Sequence, residues 1–362
     1  MKRFYFISLI FFLCVIRIFG QAGNYVYKTL DLPVSSYISA MGGMNISSPV
    51  NDISLSTQNP ALLKDEQHQY IGVNFSGYIG ESNFFSAMYG HKLTEKDMIS
   101  GTIQYVNYGN INHRTEENID AGELYVGELV LYASYCRLLA PKWRVGASLK
   151  PVGSFLADYN SFGLAVDVGA NFYDSKIGLS TSLLFKDIGV QIKNYNSWRS
   201  AWLPFSIQAG LTYKLKNAPF AFSFTAHNLQ RWNLNPNPAK KVNFADMLFR
   251  HTVWSVEFTP WKSVYLAISY NHRRGAELSI PDKRSLAGFS AGLGFRVYKF
   301  NLGASITPYQ AGILSYQVSV SSSLSEFTKN IERQGKSRGN GKASFNLQQA
   351  LDDAISPEKI EE

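Results

Sequence analysis

The side chains of this chain that could do chemistry are few and dispersed. Its six histidines, His68, His91, His113, His227, His251 and His272, show no His-Glu-x-x-His or other close metal-ligand spacing. Neither a Gly-x-Ser-x-Gly nucleophile elbow nor a phosphate-binding P-loop is expected. The strongest catalytic suggestion is His227, which shares a face with Ser223 and Thr225 if the segment is extended. That trio would suit a hydrolase, yet Ser and His also belong on any polar sheet face, where His227 would be a hydrogen-bonded structural residue. Asp167 lies between Ala165 and Gly169 on a similar face. It could pair with Lys150 or Lys214, hold a neighbouring segment through Asn side chains or backbone N–H groups, or bind a ligand. No cofactor site and no catalytic set emerge.

The elements that position these residues are strands. Phe220, Phe222, Phe224 and Ala226 alternate with Ala221, Ser223, Thr225 and His227, and Phe205, Ile207, Ala209, Leu211 and Tyr213 alternate with small or polar residues. Val264, Leu266, Ile268 and Tyr270, and then Leu314, Tyr316, Val318 and Val320, repeat the pattern. A period of two means extended chain with one apolar face and one small, polar face. In a soluble sandwich the apolar face meets a second sheet, whereas in an outer-membrane barrel it meets lipid.

The N-terminus separates these two. Lys2 and Arg3 precede an apolar run from Phe4 to Phe19, and Gly20 and Ala22 fit a cleavage site after Ala22, with cleavage after Gly20 the alternative. This is the pattern of a secretory signal peptide. No later segment reaches the roughly 18 apolar residues of a membrane helix. Cleavage would remove three basic residues and no acid, taking the formal charge from +8 to +5. The remaining charge is dispersed, which suits anionic lipid better than nucleic acid. Only Cys136 would remain, so no internal disulfide is expected.

The chain divides into a leader (1–22), an irregular Ser/Asn/Pro-rich segment (23–67), a strand region (68–324) and a polar tail (325–362). Fourteen strands are predicted, near 68–78, 83–91, 97–107, 122–137, 142–153, 161–173, 176–186, 204–214, 219–228, 249–259, 263–272, 286–297, 299–308 and 313–323. An even count closes an antiparallel barrel with both termini on one side. Links after even-numbered strands are tight, and several after odd-numbered ones are long: Tyr108 to Ala121, Asp187 to Leu203, Leu229 to Leu248 and Arg273 to Ser285. Those near Ile79–Ser82 and Gln310 are short exceptions. Tight links are expected in the periplasm with both termini, and long ones outside. Trp143, Trp254, Trp261, Tyr298 and Tyr309, near strand ends, suit interfacial girdles. The fold class is therefore all-β: a transmembrane antiparallel barrel in the outer membrane.

The segment before the first strand carries Tyr27, Leu30, Leu32-Pro33-Val34-Ser35, Ala40-Met41-Gly42-Gly43, Asn51-Asp52 and Asn59-Pro60-Ala61-Leu62-Leu63. It resembles the N-terminal hatch of the FadL-like outer-membrane barrel superfamily, with Asp52, Asn59 and Pro60 as hatch residues beside Asp167 and His227 in the lumen. Over most of residues 24–235 the chain is similar to the PorQ-like barrels of the type IX secretion system. That similarity rests on Gly101-Thr102-Ile103-Gln104-Tyr105-Val106-Asn107-Tyr108-Gly109, Ser161-Phe162-Gly163-Leu164-Ala165-Val166-Asp167-Val168-Gly169, Leu203-Pro204-Phe205 and Ala226-His227-Asn228-Leu229-Gln230. It departs where the family more usually reads Ser-Ala-Arg and Ala-Leu-Gly-Gly, since Ser36-Tyr37 and Met41 stand here. The resemblance implies a plugged, non-catalytic barrel that anchors a cell-surface attachment complex. Its implied partners are a PorZ-like surface protein, a PorU-like sortase and a PorV-like barrel, with cargo joined to anionic lipopolysaccharide.

The long links offer a partner surface, because Trp198, Arg199 and Trp202, then Arg231 and Trp232, then Arg273 and Arg274 place hot-spot residue types on the outer side. Membership of the outer girdle is the other role open to the tryptophans. In the tail, Ser344 could cap a short helix bearing Leu347, Leu351 and Ile355, or the segment is disordered. Three functions stay open: an interaction barrel, a FadL-like channel for hydrophobic small molecules, and a barrel enzyme. The channel requires an apolar pocket running to a lateral gap, and the enzyme a Ser, His and acid clustered at one rim.

Overall fold

The computed structural model describes residues 25–78, 82–114, 120–157, 159–195, 201–236, 242–278, 286–310 and 313–327. The expected leader, most of the polar tail, Trp198 and Arg199 lie outside these. Fourteen strands form: β1 (Tyr70–Gly77), β2 (Asn83–Lys92), β3 (Asp97–Arg114), β4 (Asp120–Ala140), β5 (Trp143–Leu156), β6 (Tyr159–Asp174), β7 (Leu179–Lys193), β8 (Ser206–Lys214), β9 (Phe220–Ala226), β10 (Thr252–Trp261), β11 (Val264–Asn271), β12 (Phe289–Val297), β13 (Phe300–Gln310) and β14 (Ile313–Ser323). Each pairs antiparallel with its sequence neighbours, and β1 pairs with β14, closing the ring. Closure leaves no strand edge with unpaired N–H and C=O groups, the condition for crossing lipid with strands.

The alternation read from the sequence is the alternation of the wall. Leu314, Tyr316 and Val318 are about half exposed, while Ser315 and Gln317 between them are buried; Phe222 is exposed, and Ala221, Ser223 and Thr225 are buried. Exposed Val73, Phe85, Leu149, Val168, Leu183 and Ile306 continue the apolar band round the ring. In water such a surface would drive aggregation; facing acyl chains it is the ordinary outer face of a barrel.

The wall is uneven. Strands β3 to β7 run for 18, 21, 14, 16 and 15 residues, while β8 to β12 run for 9, 7, 10, 8 and 9. The expected loop from Tyr108 to Ala121 is mostly strand, with Asn110 opposite Tyr125 and Arg114 opposite Asp120. Its alternation is lost because a hairpin rising beyond the lipid has no apolar environment to select a greasy face. Strand β7 likewise continues past the predicted Lys186 to Lys193. The odd-numbered links that are long are those of residues 194–205, 227–251 and 272–288, all beside the short strands, and the link at Ala157 is short. Two helices stand there, α2 (Phe244–Arg250) and α3 (His272–Leu278).

Residues 28–67 fill the interior. They form helix α1 (Ser36–Ala40) and 3₁₀ turns at Lys28–Asp31, Ile53–Thr57, Pro60–Leu62 and Asp65–Gln67. The turn signals act as caps: Ser35 accepts from Ile38 N, Asp52 from Ser54 N and Asn59 from Ala61 N, satisfying N–H groups that short helices leave open. The segment must lie inside the ring because it bonds to opposite walls. Ser36 N donates to Ser319 on β14, Tyr37 Oη to Glu257 on β10, Gln104 on β3 to Thr29 O, and Ser86 on β2 to Val34 O. Ile38, Ile46, Ile53 and Leu55 are fully buried.

Candidate functional site

The plug and the wall meet where wall residues are too small to hold them apart. A Cβ on Gly146 of β5 would stand 2.6 Å from the Pro60 carbonyl carbon, and one on Gly210 of β8 2.6 Å from Ile46 Cγ1. Glycine at these positions is a requirement of close approach. Asn59 is seated next to them, donating to Ile46 O at 2.9 Å.

At mid-height, between β5 and β7, lies a buried charge cluster. Lys150 Nζ is 2.5 Å from Asp167 Oδ2 and 2.7 Å from Asp187 Oδ1, and all three side chains are inaccessible to solvent. Lys186 stands 3.5 Å from Asp187 and 3.0 Å from Asp31 of the plug, and also donates to Leu30 O at 2.9 Å. Asp167 thus takes Lys150 and not Lys214, which is exposed at the end of β8. Its link to the plug runs through Asp187 and Lys186. A single backbone irregularity creates this arrangement: Val166 pairs with Ile188 but Val168 with Phe185, so Lys186 and Asp187 together oppose Asp167. Asp187 takes φ 56°, and the bulge turns two consecutive side chains to the lumen. Its N–H donates to Asp167 Oδ1 at 2.8 Å. Asp187, Lys186 and Asp31 went unread because a strict period of two sends alternate residues outward; the Lys-Asp pair at the end of an apolar run was the available signal.

His227 is buried at the top of β9, with Nδ1 2.8 Å from Asn228 Nδ2. Its carbonyl lies 2.9 Å from His251 Nδ1, and the Nε2 of His251 is 3.0 Å from Trp232 O. Ser223 Oγ is bonded to Thr212 at 2.9 Å, so it is not paired with His227 as a nucleophile would be with its base. Among the described residues no group of three or more His, Cys, Asp or Glu could hold a metal ion.

Gly-x-Ser-x-Gly does occur, at Gly288–Gly292 and Gly335–Gly339, which corrects the expectation that it is missing. The first enters β12 as plain strand, with Ser290 Oγ accepting from Arg274 at 2.6 Å and from Thr307 at 3.0 Å. A nucleophile elbow needs an exposed hydroxyl at a strand-to-helix turn, and this buried serine has neither. The second lies outside the described residues.

The proposed partner residues separate. Arg274 turns inward: its guanidinium donates to Gly288 O and Phe289 O, both at 3.1 Å, and lies 5.4 Å over the Tyr309 ring. Tyr309 in turn packs on Tyr78 at 5.0 Å, so it belongs to this interior cluster and not to a girdle. Trp143, Trp254, Trp261 and Tyr298 are exposed, as girdle residues are. Arg273 pairs with Glu277 at 2.8 Å on α3. Trp202 is exposed, while its backbone bridges to Tyr25 and accepts from Val26 N. Arg231 N bonds back to Asn228 O, and exposed Trp232 stacks on His251 at 5.5 Å. Trp202, Arg231, Trp232 and Arg273 lie on the links at the barrel rim, while Arg274 is bonded to the ends of the neighbouring strands.

No protein-family model and no curated protein matches the chain. Solved structures do. A TodX monoaromatic hydrocarbon channel mutant, deltaS2S3, is similar with a TM-score of 0.52 and 12% identity, over 80% of this chain and 99% of that one. The toluene transporter TodX of Pseudomonas putida (TM-score 0.47, 11% identity, 80% and 98% covered) and a FadL homologue of Pseudomonas aeruginosa (0.47, 9%, 80% and 98%) are also similar. At such identities the likeness is one of fold: a closed fourteen-stranded antiparallel barrel of the FadL-like outer-membrane type.

Proposed function

We propose that this barrel is a sealed outer-membrane anchor: a non-catalytic subunit of a type IX secretion attachment complex. It would hold a PorZ-like surface protein beside a PorU-like sortase and a PorV-like barrel, so that cargo is processed and joined to anionic lipopolysaccharide. The observation that supports this best is the plug itself. Ile38, Ile46, Ile53 and Leu55 are fully buried, Ser36, Tyr37, Val34 and Thr29 are bonded to strands on opposite sides of the ring, and Asp31 is tied to the wall by Lys186. A conduit for hydrophobic molecules needs a passage that opens at low cost, whereas displacing this segment would strand buried polar and charged groups. Both termini would lie in the periplasm and the links bearing Trp202, Arg231 and Arg273 outside, where they would form the partner face.

The channel reading keeps one support, that the structurally similar proteins are named as hydrocarbon channels and transporters. Affinity purification of the barrel from its native outer membrane separates the two. Recovery of a surface protein, reduced by Trp202→Ala with Arg273→Ala and by Trp198→Ala, is expected. Recovery of the barrel alone, with normal cargo attachment in a deletion strain, would overturn the anchor role. Uptake of a hydrophobic probe that depends on the barrel would favour the channel.

A further inference from the structure

Helix α2 has an exposed apolar face whose position in the fold indicates what covers it. Phe244 and Leu248 stand one turn apart with Phe249 beside them, and they are 71%, 45% and 46% exposed. The opposite side is committed to the protein. Met247 is buried with its sulfur accepting from Leu234 N, and Asp246 binds Arg250 at 2.8 Å and His272 at 2.7 Å. The stripe is therefore amphipathic and fixed in direction.

The stripe stands directly above the lipid-facing wall. Trp254 Nε1, on the outer face of β10, donates to Thr252 Oγ1 at 3.0 Å, and Thr252 Oγ1 donates to Phe249 O at 2.8 Å. The Phe249 ring lies 5.8 Å from His272, whose ring lies 5.9 Å from the outward Tyr270. Below the row of Phe224, Trp254 and Tyr270 the wall carries an apolar concavity of about 380 Å³, floored by Val256 and Ile268. Helix, aromatic row and concavity make one continuous apolar surface, and its lower part is the membrane-facing band of the barrel.

We infer that α2 is immersed in the leaflet at this rim, with Phe244, Leu248 and Phe249 among lipid acyl chains that continue down into the concavity between Trp254 and Ile268. The occupant is a lipid because the surface is continuous with the face that lipid already covers, and a folded partner reaching Phe249 would have to enter the bilayer. The short strands β9 to β11 leave the wall low here, so the helix extends the barrel's apolar height where it is deficient. Interfacial helices lie with the apolar face about 5–10 Å below the headgroup boundary.

This inference rests on the barrel standing in a membrane, and the test separates the two. Nitroxide labels are placed at Phe244→Cys, Leu248→Cys, Ile268→Cys and Asn233→Cys in a Cys14→Ser, Cys136→Ser chain, reconstituted in phosphatidylcholine vesicles, with folding checked by heat-modifiable gel migration. Relaxation by oxygen and by a water-soluble nickel chelate reports immersion depth. Positions 244 and 248 are expected to be oxygen-accessible at a depth of about 5–10 Å, shallower than 268, with 233 aqueous. Aqueous behaviour at 244 and 248 with lipid behaviour at 268 would overturn the immersion alone. Protection of 244 and 248 from both reagents would mean protein covers them, which also overturns it. Aqueous behaviour at 268 would remove the membrane barrel, and the immersion with it.

Discussion

Replacing Lys150 by Met tests the charge cluster as the fastening between plug and wall. Methionine is close in length and shape, so the change removes a charge and three N–H donors while leaving little cavity. What remains is unbalanced: Asp167 and Asp187, both with no solvent exposure, keep only Lys186, which is 3.5 Å from Asp187 and shared with Asp31. Removing one partner of a buried pair costs about 3–5 kcal/mol, a factor of roughly 10²–10⁴ in the unfolding equilibrium. Removing the whole set is different. Lys150→Met with Asp167→Asn and Asp187→Asn removes both carboxylates that Lys150 balanced and leaves Lys186 paired with Asp31, and replacing a buried ionic set as a whole costs far less than breaking it.

The assay is equilibrium unfolding of the reconstituted barrel by denaturant, followed by tryptophan fluorescence and gel migration. Limited proteolysis of residues 25–67 runs in parallel. The single variant is expected to lose about 3–5 kcal/mol and expose the plug to protease, and the triple variant to recover most of that loss. A single variant within about 1 kcal/mol of the parent would show that the cluster fastens nothing. A triple variant as weak as the single one would show that Asp167 and Asp187 act through hydrogen bonds, such as that from Asp187 N to Asp167 Oδ1, and not through charge.

Gly146→Val should wedge the plug from the wall at Pro60, costing about 1–3 kcal/mol, and faster proteolysis of the plug with an intact ring is the check. Asn59→Ala loses both the cap on Ala61 and the bond to Ile46 O; a loss of about 1–3 kcal/mol in unfolding free energy is expected. Arg274→Met should disturb the interior at Tyr309 without weakening partner recovery, whereas Arg273→Ala should weaken recovery without altering stability. Burial pushes the Asp246 carboxyl up, but hydrogen bonds from Arg250 and His272 outweigh it and hold it below the usual carboxylate range. A carboxylate depressed in the folded state stabilises above its ordinary value near 4 and loses that contribution as pH falls through the folded value. Amide exchange in α2 should accordingly rise on acidification below about pH 4, and Asp246→Asn should raise it already at neutral pH.

The ring was legible because lipid enforces it. Every strand that crosses the bilayer must alternate, so Phe220 to His227 and Leu314 to Ser321 announced themselves, and the count of fourteen followed. Legibility ended where that pressure ends. Beyond the bilayer, β3 and β4 pair through Asn110 and Tyr125 with no apolar face required. Inside the wall, one extra residue at Asp187 exchanged the faces of everything after it, hiding the two residues that tie the plug. Tyr309 was misplaced for a related reason, since the ladder shifts between Pro308 and Gln310 and brings it to Arg274. Caps such as Asn59 before Pro60 were readable as local chemistry, but the distant partners, Gly146 and Ile46, depend on closure of the ring.

The unevenness of the wall has a functional consequence. The plug's charged fastening sits on β5 to β7, among the strands that rise highest and carry few residues between them. The long links, both rim helices and the rim residues Arg231, Trp232 and Arg273 sit over the low strands β8 to β12, and Trp202 just precedes them. A partner pulling on the low side would load loops braced on one another, through Asp246 to His272 and His251 to Trp232, and on the plug, through Asn271 to Gly42 O and Val26 N to Trp202 O. Force at Trp202 would reach the plug directly at Tyr25 and Val26, whereas Arg231 bonds to Asn228 and Trp232 stacks on His251 within their own link. If the barrel is an anchor, a surface protein borne on the Arg231 link would leave the Lys186–Asp31 fastening unloaded, while load on the Trp202 link would pass to the start of the plug. Variants in the Lys150 cluster should then loosen the plug without loss of partner recovery, and rim variants should do the reverse; coupling between the two would argue instead for a gated channel.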